Sequence, residues 1–268
     1  MMHPTLAAIM VTLGFGLALS RVQPTASTPP STAPATPTGM LLGTTTGGGT
    51  TLKTVVYVPR DYSPSKSWPC IVFLHGRGES GDDGLKQAAQ GLGAAIMWDQ
   101  QRWPCVVIMP QKPDENKNWE DYDAAVMSAL DSARKTYSID KRRIYLTGLS
   151  QGGHGTWEMG ARHADIWAAL VPVCGFGGTD WSKGPDATAA ASIAQRVKSL
   201  PIWAFHGDAD NVVKPEHTRV IIDAVKATGA TALATYYPGV GHNCWDRAYR
   251  EERSNGGVAA WLLRQQRP

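Results

Sequence analysis

The pentapeptide GLSQG, Gly148 to Gly152, sets a serine between two glycines and stands between an apolar run, Arg143 to Thr147, and a segment of helical spacing. A serine held on a tight strand-to-helix bend projects its Oγ beyond the sheet, with the following backbone N–H groups aimed at the same spot. That hydroxyl becomes a nucleophile once an imidazole can take its proton and a carboxylate can orient the imidazole. The expected chain order is serine, acid, histidine, each in a loop after a later strand. HGDADNVV offers Asp208 and Asp210, and PGVGHNCW offers His242. Asp210 lies deeper in its loop and is the expected acid, while Asp208 is placed to hydrogen-bond local backbone, as loop aspartates do. His242 is the expected base; His154 and His217 fall on expected helices and read as packing residues.

Attack on a carbonyl leaves an oxyanion that needs two fixed donors. The backbone N–H of Gln151 supplies one. The other should come from an earlier strand-to-helix loop, and HGRG, His75 to Gly78, is in that place, so the backbone N–H of Arg77 is assigned to it, with His75 packing beneath the loop. The same loop invites a competing reading, because Gly76 to Gly81 has the G-x-G-x-x-G spacing of a dinucleotide site. Such a site wants an acidic residue at the end of the next strand, yet Cys105 to Met109 runs into Pro110 and Gln111, and Asp99 lies on an expected helix. A non-catalytic binding module that keeps the fold is the alternative of another class.

Gln111, Trp119, Phe176 and Trp181 follow expected strands at the active end and are candidates for a substrate pocket, with Trp119 and Trp181 as an aromatic rim, although ten tryptophans also suit core packing. No C-x-x-C or H-E-x-x-H spacing suggests a metal, and the expected chemistry requires no cofactor. Of the four cysteines, Cys70 and Cys105 start successive strands, whereas Cys174 and Cys244 fall beside active-end loops. Pairing by shared sheet end suggests a Cys174–Cys244 disulfide that would pin the His242 loop; four buried free thiols are the alternative.

The elements that must position these groups are apolar runs at Leu52–Val58, Cys70–Leu74, Cys105–Met109, Ile144–Thr147, Trp167–Val173, Ile202–Phe205 and Leu233–Tyr237, read as strands. Between them lie helical segments. In the clearest, Tyr122, Val126, Ala129, Leu130, Ala133 and Tyr137 recur at steps of three or four; others are expected at 85–98, 151–163, 187–198, 215–228 and 246–265. The alternation gives an α/β fold, a mostly parallel sheet with helices on both faces, whose ligands bind beyond the carboxyl ends of the strands.

The chain has 268 residues, 43% hydrophobic, and a formal charge of +3 from scattered basic residues, which excludes a disordered chain and a nucleic-acid footprint. Leu6 to Leu19 is apolar but short for a membrane span, and Ala18 and Ser20 give a small-residue cleavage site, so residues 1–20 are expected to be a secretory signal, with an uncleaved anchor as the alternative. Residues 21–40, rich in Pro, Thr, Ser and Ala, are expected to be a linker, and 41–268 a catalytic domain. No later run is long enough to span a membrane. The expected location is secreted or periplasmic; the sequence is silent on oligomeric state.

The stretches FLHGRGESGDD (73–83), RRIYLTGLSQGGHGTW (142–157), AALVPVCG (168–175), FHGDADNVV (205–213) and GVGHNCWD (239–246) resemble a group of secreted bacterial α/β-hydrolases. These are related to carboxylesterases, polyhydroxybutyrate depolymerases and feruloyl esterases, and are often labelled predicted peptidases. The resemblance implies an eight-stranded sheet of α/β-hydrolase order and a triad of Ser150, Asp210 and His242. It also implies cleavage of a small-molecule or polymer-borne carboxylic ester through an acyl-enzyme. Peptide or hydroxyalkanoate polyester cleavage on the same triad is the alternative.

Overall fold

The computed structural model describes residues 36–251 and 256–268; the expected signal and most of the expected linker lie outside the described residues. One eight-stranded sheet runs through the described chain. Its strands are β1 (Gly39–Gly47), β2 (Thr50–Val58), β3 (Trp68–Leu74), β4 (Val106–Gln111), β5 (Ile139–Leu149), β6 (Ala169–Val173), β7 (Ile202–Gly207) and β8 (Ala232–Tyr237). Their spatial order is β1-β2-β4-β3-β5-β6-β7-β8; the β1/β2 and β2/β4 pairs are antiparallel and every later pair parallel.

Strand β1 is the element that the apolar runs do not announce. Its sequence, GMLLGTTTG, is two-thirds Thr and Gly and begins two residues inside the stretch expected to be linker. It forms because β2 offers it an unbroken antiparallel partner, Gly39 opposite Val58 through Gly47 opposite Thr50, so tertiary pairing overrides weak local propensity.

Among the described residues, eight α-helices follow the expected plan: α1 (Lys86–Ala89), α2 (Gly91–Trp98), α3 (Asp123–Thr136), α4 (Gln151–Arg162), α5 (Ala187–Val197), α6 (Glu216–Ala227), α7 (Trp245–Arg250) and α8 (Gly257–Arg264). Two expected helices are each divided. The 85–98 segment breaks at Gly91, whose φ of +56 lets the chain turn where a Cβ would strike Leu149 and Phe73. The 246–265 segment gives α7 and α8, with residues 252–255 between them outside the described ones.

Strand residues alternate between two cores, as a pleat buried on both faces requires. Cys70, Val72, Leu74, Leu146 and Leu170 pack with α3, α4, α5 and α6 through Val126, Leu130, Trp157, Ile193 and Ile221. Ile71, Phe73, Tyr145, Val171 and Phe205 pack on the opposite face with α2, α7 and α8 through Leu92, Ile96, Tyr249 and Leu262. The carboxyl ends of β3, β5, β7 and β8 are thereby left open at one edge of the molecule, and each leads into a loop that carries a candidate residue.

Candidate active site

Ser150 follows β5 and forms the N-cap of α4, with φ +53 and ψ −115, a conformation that non-glycine residues rarely adopt. The bend is enforced from both sides. A Cβ on Gly148 would lie 2.3 Å from the Gly152 carbonyl oxygen, and one on Gly152 would lie 1.9 Å from that of Leu74. The Ser150 amide is in turn tied to the Val173 carbonyl at 2.9 Å.

His242, in the loop after β8, brings Nε2 to 2.8 Å from Ser150 Oγ and Nδ1 to 2.7 Å from Asp210 Oδ2. An ionised carboxylate only accepts, so Nδ1 carries the proton, Nε2 is the bare nitrogen, and the serine hydroxyl donates to it. Asp210 is buried. Burial alone would raise its pKa, but hydrogen bonds from His206, His242 and the Val212 amide hold the carboxyl well below the usual carboxylate range. Its Oδ1 accepts from the Val212 and Val213 amides at 2.8 and 3.0 Å. Asp208 stands apart, accepting from the Gly239 amide at 2.6 Å and so tying the β7 loop to the loop that holds His242.

Sequence reasoning missed His206. Its Nε2 lies 2.8 Å from the Val213 carbonyl and 3.2 Å from Asp210 Oδ2, while Nδ1 faces Thr218 Oγ1 at 2.7 Å. The signal was present, two residues before Asp208 at the end of an apolar strand, but nothing local shows that this ring turns back on the acid.

The two candidate oxyanion donors sit at the first positions of helical segments, Gln151 in the twelve-residue α4 and Arg77 in a short 3-10 turn, Arg77–Glu79; the Ser150 side chain makes no cap bond to α4. Both residues line a cavity of about 330 Å³ that Ser150 and His242 also border, and whose walls include Leu149, Phe176, Trp181, Val212 and Trp245. The first four residues of the Gly76–Gly81 segment therefore share a cavity with the serine bend.

Two of the four expected pocket residues are on this wall, Phe176 and Trp181, with rings 5.7 Å apart. The other two expectations need correction. Trp119 is buried beneath the loop, its Nε1–H donating to the His75 carbonyl at 3.0 Å and its ring edge-on to His75, so it is no rim. Gln111 is buried too, with its amide spent on the backbone of the 79–84 loop. Position after a strand gave each the right end of the sheet but not the direction of its side chain.

The expected Cys174–Cys244 disulfide is also corrected: both are free, buried thiols in hydrogen-bonding contact, and Cys70 and Cys105 are free and buried as well. The His242 loop is held without a covalent bond, by Cys244 N–H to the His242 carbonyl at 2.8 Å and Ala209 N–H to the Val240 carbonyl at 3.0 Å. Among the described residues, Cys174, Asp210 and His242 offer ligand atoms within 4.8 Å of one another. Burial pushes the Cys174 thiol up, which keeps it protonated and a poor ligand, and Asp210 and His242 already satisfy each other.

Residues 108–262 match the dienelactone hydrolase family. The chain belongs to the dienelactone hydrolase family. The matched stretch of this family member holds Ser150, Asp210 and His242. Over 162 residues it is 28% identical to a bifunctional acetylxylan esterase/xylanase from Neocallimastix patriciarum, covering 59% of this chain and 21% of that protein. Over 189 residues it is 25% identical to poly(3-hydroxyalkanoate) depolymerase C from Paucimonas lemoignei, covering 58% and 44%. The chain thus spans less than half the length of the curated relatives it matches. A crystal structure of a thermostable esterase superposes with a TM-score of 0.71 at 28% identity, covering 85% of this chain and 63% of that one. A feruloyl esterase module from Clostridium thermocellum, solved with sinapinate, shares the fold at a TM-score of 0.62 and 18% identity, covering 84% and 88%.

Proposed function

We propose that this dienelactone hydrolase family member cleaves carboxylic esters through an acyl-enzyme formed on Ser150. The observation that carries the reading is the continuous hydrogen-bonded line from Ser150 Oγ through His242 to Asp210, 2.8 and 2.7 Å, at a serine forced to positive φ. His242 Nε2 takes the hydroxyl proton as Oγ attacks the carbonyl carbon, and the carbonyl electrons move onto oxygen. The amides of Gln151 and Arg77 hold that oxyanion. Collapse of the tetrahedral intermediate expels the alcohol, which receives its proton from His242; water then repeats the cycle on the acyl-enzyme and regenerates Ser150. Asp210 fixes the His242 tautomer and stabilises the imidazolium as it forms.

The largely apolar wall of Leu149, Phe176, Trp181, Val212 and Trp245 favours an acyl or alcohol group with apolar bulk. The relatives' names supply the substrate panel: acetylated sugars, feruloyl esters and hydroxyalkanoate polyesters. Export, with removal of residues 1–20, is part of the same proposal. Fluorophosphonate labelling followed by peptide mass spectrometry is expected to place the adduct on Ser150, and Ser150→Ala is expected to lose turnover on every ester in the panel. An adduct elsewhere, or turnover unchanged in the variant, overturns the reading.

A further inference from the structure

Just past the end of β4, against the glycine-rich loop, stands a lysine for which the proposed reaction has no use. Lys112 is fully buried. A buried ammonium is costly unless its protons are matched, and here Nζ donates to Ser80 Oγ at 2.9 Å and to the Asp114 carbonyl at 2.7 Å. The same residue's backbone N–H donates to His75 Nε2 at 3.1 Å, and its carbonyl accepts from the Gly81 amide at 3.0 Å. Gln111, one residue earlier, accepts from the Gly84 amide through Oε1 at 2.7 Å and donates through Nε2 to the Glu79 carbonyl and to Asp83 Oδ2, at 2.9 and 3.2 Å. Two consecutive residues therefore fasten the glycine-rich loop at His75, Glu79, Ser80, Gly81, Asp83 and Gly84. The stretch that faces the cavity, Gly76 to Glu79, begins just after the first anchor and ends at the second.

We propose that Lys112 is a positioning residue for the oxyanion loop: its buried ammonium, bridging Ser80 and Asp114, fixes the Arg77 amide at the point where charge develops on the substrate carbonyl oxygen. The inference rests on the proposed role of Arg77. Lys112 does not line the cavity, so it acts through the loop and not on the substrate. A loop displaced by about 1 Å would cost roughly a hundredfold in rate while leaving ground-state contacts nearly unchanged. The charges around Lys112 come from three directions. Asp114 and Glu115 lie on its own segment, Arg77 and Glu79 on the loop it holds, and Asp121 on the turn before α3, while His75 is held neutral by burial, its pKa pushed down to about 3. Burial lowers the ammonium pKa to about 8, against the pull of Asp114, Glu115 and Asp121. Raising the pH through that value turns two charge-assisted bonds into weaker neutral ones, so activity should fall on the alkaline side.

The test compares wild type, Lys112→Met, Lys112→Arg and Ser80→Ala on 4-nitrophenyl acetate from about pH 6 to about pH 10, with thermal unfolding to establish folding and fluorophosphonate labelling to locate the nucleophile. Lys112→Met is expected to lower kcat by roughly ten- to a hundredfold with KM within about threefold, and to lose the alkaline fall. Lys112→Arg, which keeps its proton, is expected to recover part of kcat and also lack the fall. Ser80→Ala, with one acceptor gone, is expected to move the fall to lower pH. A folded Lys112→Met with kcat within about twofold of wild type overturns the proposal. Should that variant not fold, an unshifted profile and unchanged kcat in Ser80→Ala overturn it instead. If Ser150 is labelled while these variants are silent, only this inference fails; if wild-type Ser150 takes no label, the parent reading fails and this one with it.

Discussion

Asp210 holds two imidazoles at once. Its Oδ2 faces His242 Nδ1 and His206 Nε2, while Oδ1 is saturated by two backbone amides. Asp210→Asn keeps the shape but puts a neutral, partly donating group against Nδ1–H, so the histidine flips tautomer or loses its partner. The expected result is a loss of roughly 10³ to 10⁴ in kcat, read with 4-nitrophenyl esters; a loss under about tenfold would remove Asp210 from the relay. The same carboxylate should be visible in stability. Its folded pKa is depressed, so its contribution is fully present above the ordinary carboxylate value of ~3.9 and is lost as pH falls toward the folded value. The gap in Tm between wild type and Asp210→Asn should therefore shrink on acidification, and a gap that stays constant with pH contradicts the assignment. At this scale the sequence revealed what stands in a motif, Ser150, Asp210 and His242, because loop order fixes which strand end each reaches. It hid the role of His206, whose ring turns back on its own loop, and the roles of Gln111 and Lys112, which depend on contacts with the glycine-rich loop, distant in sequence.

At the scale of elements, the serine bend is set by how closely α4 sits on β3 and β6. A Cβ on Gly152 would meet the Leu74 carbonyl at 1.9 Å, and one on Gly153 would meet the Val173 carbonyl at 2.4 Å; both obstacles are backbone. Gly160, two turns further along, has the Leu170 side chain as its nearest obstacle, at 2.7 Å from Cδ1, and a side chain can rotate where backbone cannot. Gly152→Ala should thus push the helix start away from the sheet, destabilise by about 1–3 kcal/mol and lower kcat, because the Gln151 amide moves with it. Gly160→Ala gains up to about 1 kcal/mol of helix propensity against its crowding and should leave kcat unchanged. Chemical denaturation and steady-state rates on the pair check this, and equal effects of the two would refute the account. The α/β alternation was legible because strands buried on both faces read as continuous apolar runs. Strand β1 was not, since an edge strand held by one partner needs little apolar content, and the break at Gly91 depends on Leu149 and Phe73, residues that no local window contains.

At the scale of the molecule, the four cysteines sample both cores: Cys70 packs on one face of the sheet, and Cys105, Cys174 and Cys244 on the other. All are buried and free, and burial raises Cys70 to about 12 and pushes Cys105 and Cys174 well above the ordinary thiol value. Burial alone denies access to all four in the native state, so a disulfide reagent such as dithionitrobenzoate can react only after the layers around the sheet open. If the two cores unfold as one cooperative unit, the labelling rate of all four thiols should rise with denaturant along a single slope matching that of global unfolding. Cys70 labelled ahead of the rest would mean that the α3–α6 side opens by itself, and the molecule would then be two stability units on one sheet. The stoichiometry carries a second outcome: four thiols titrated after unfolding without reductant fit the free thiols seen here, whereas two would mean that a bridge forms in solution, with peptide mapping to identify it.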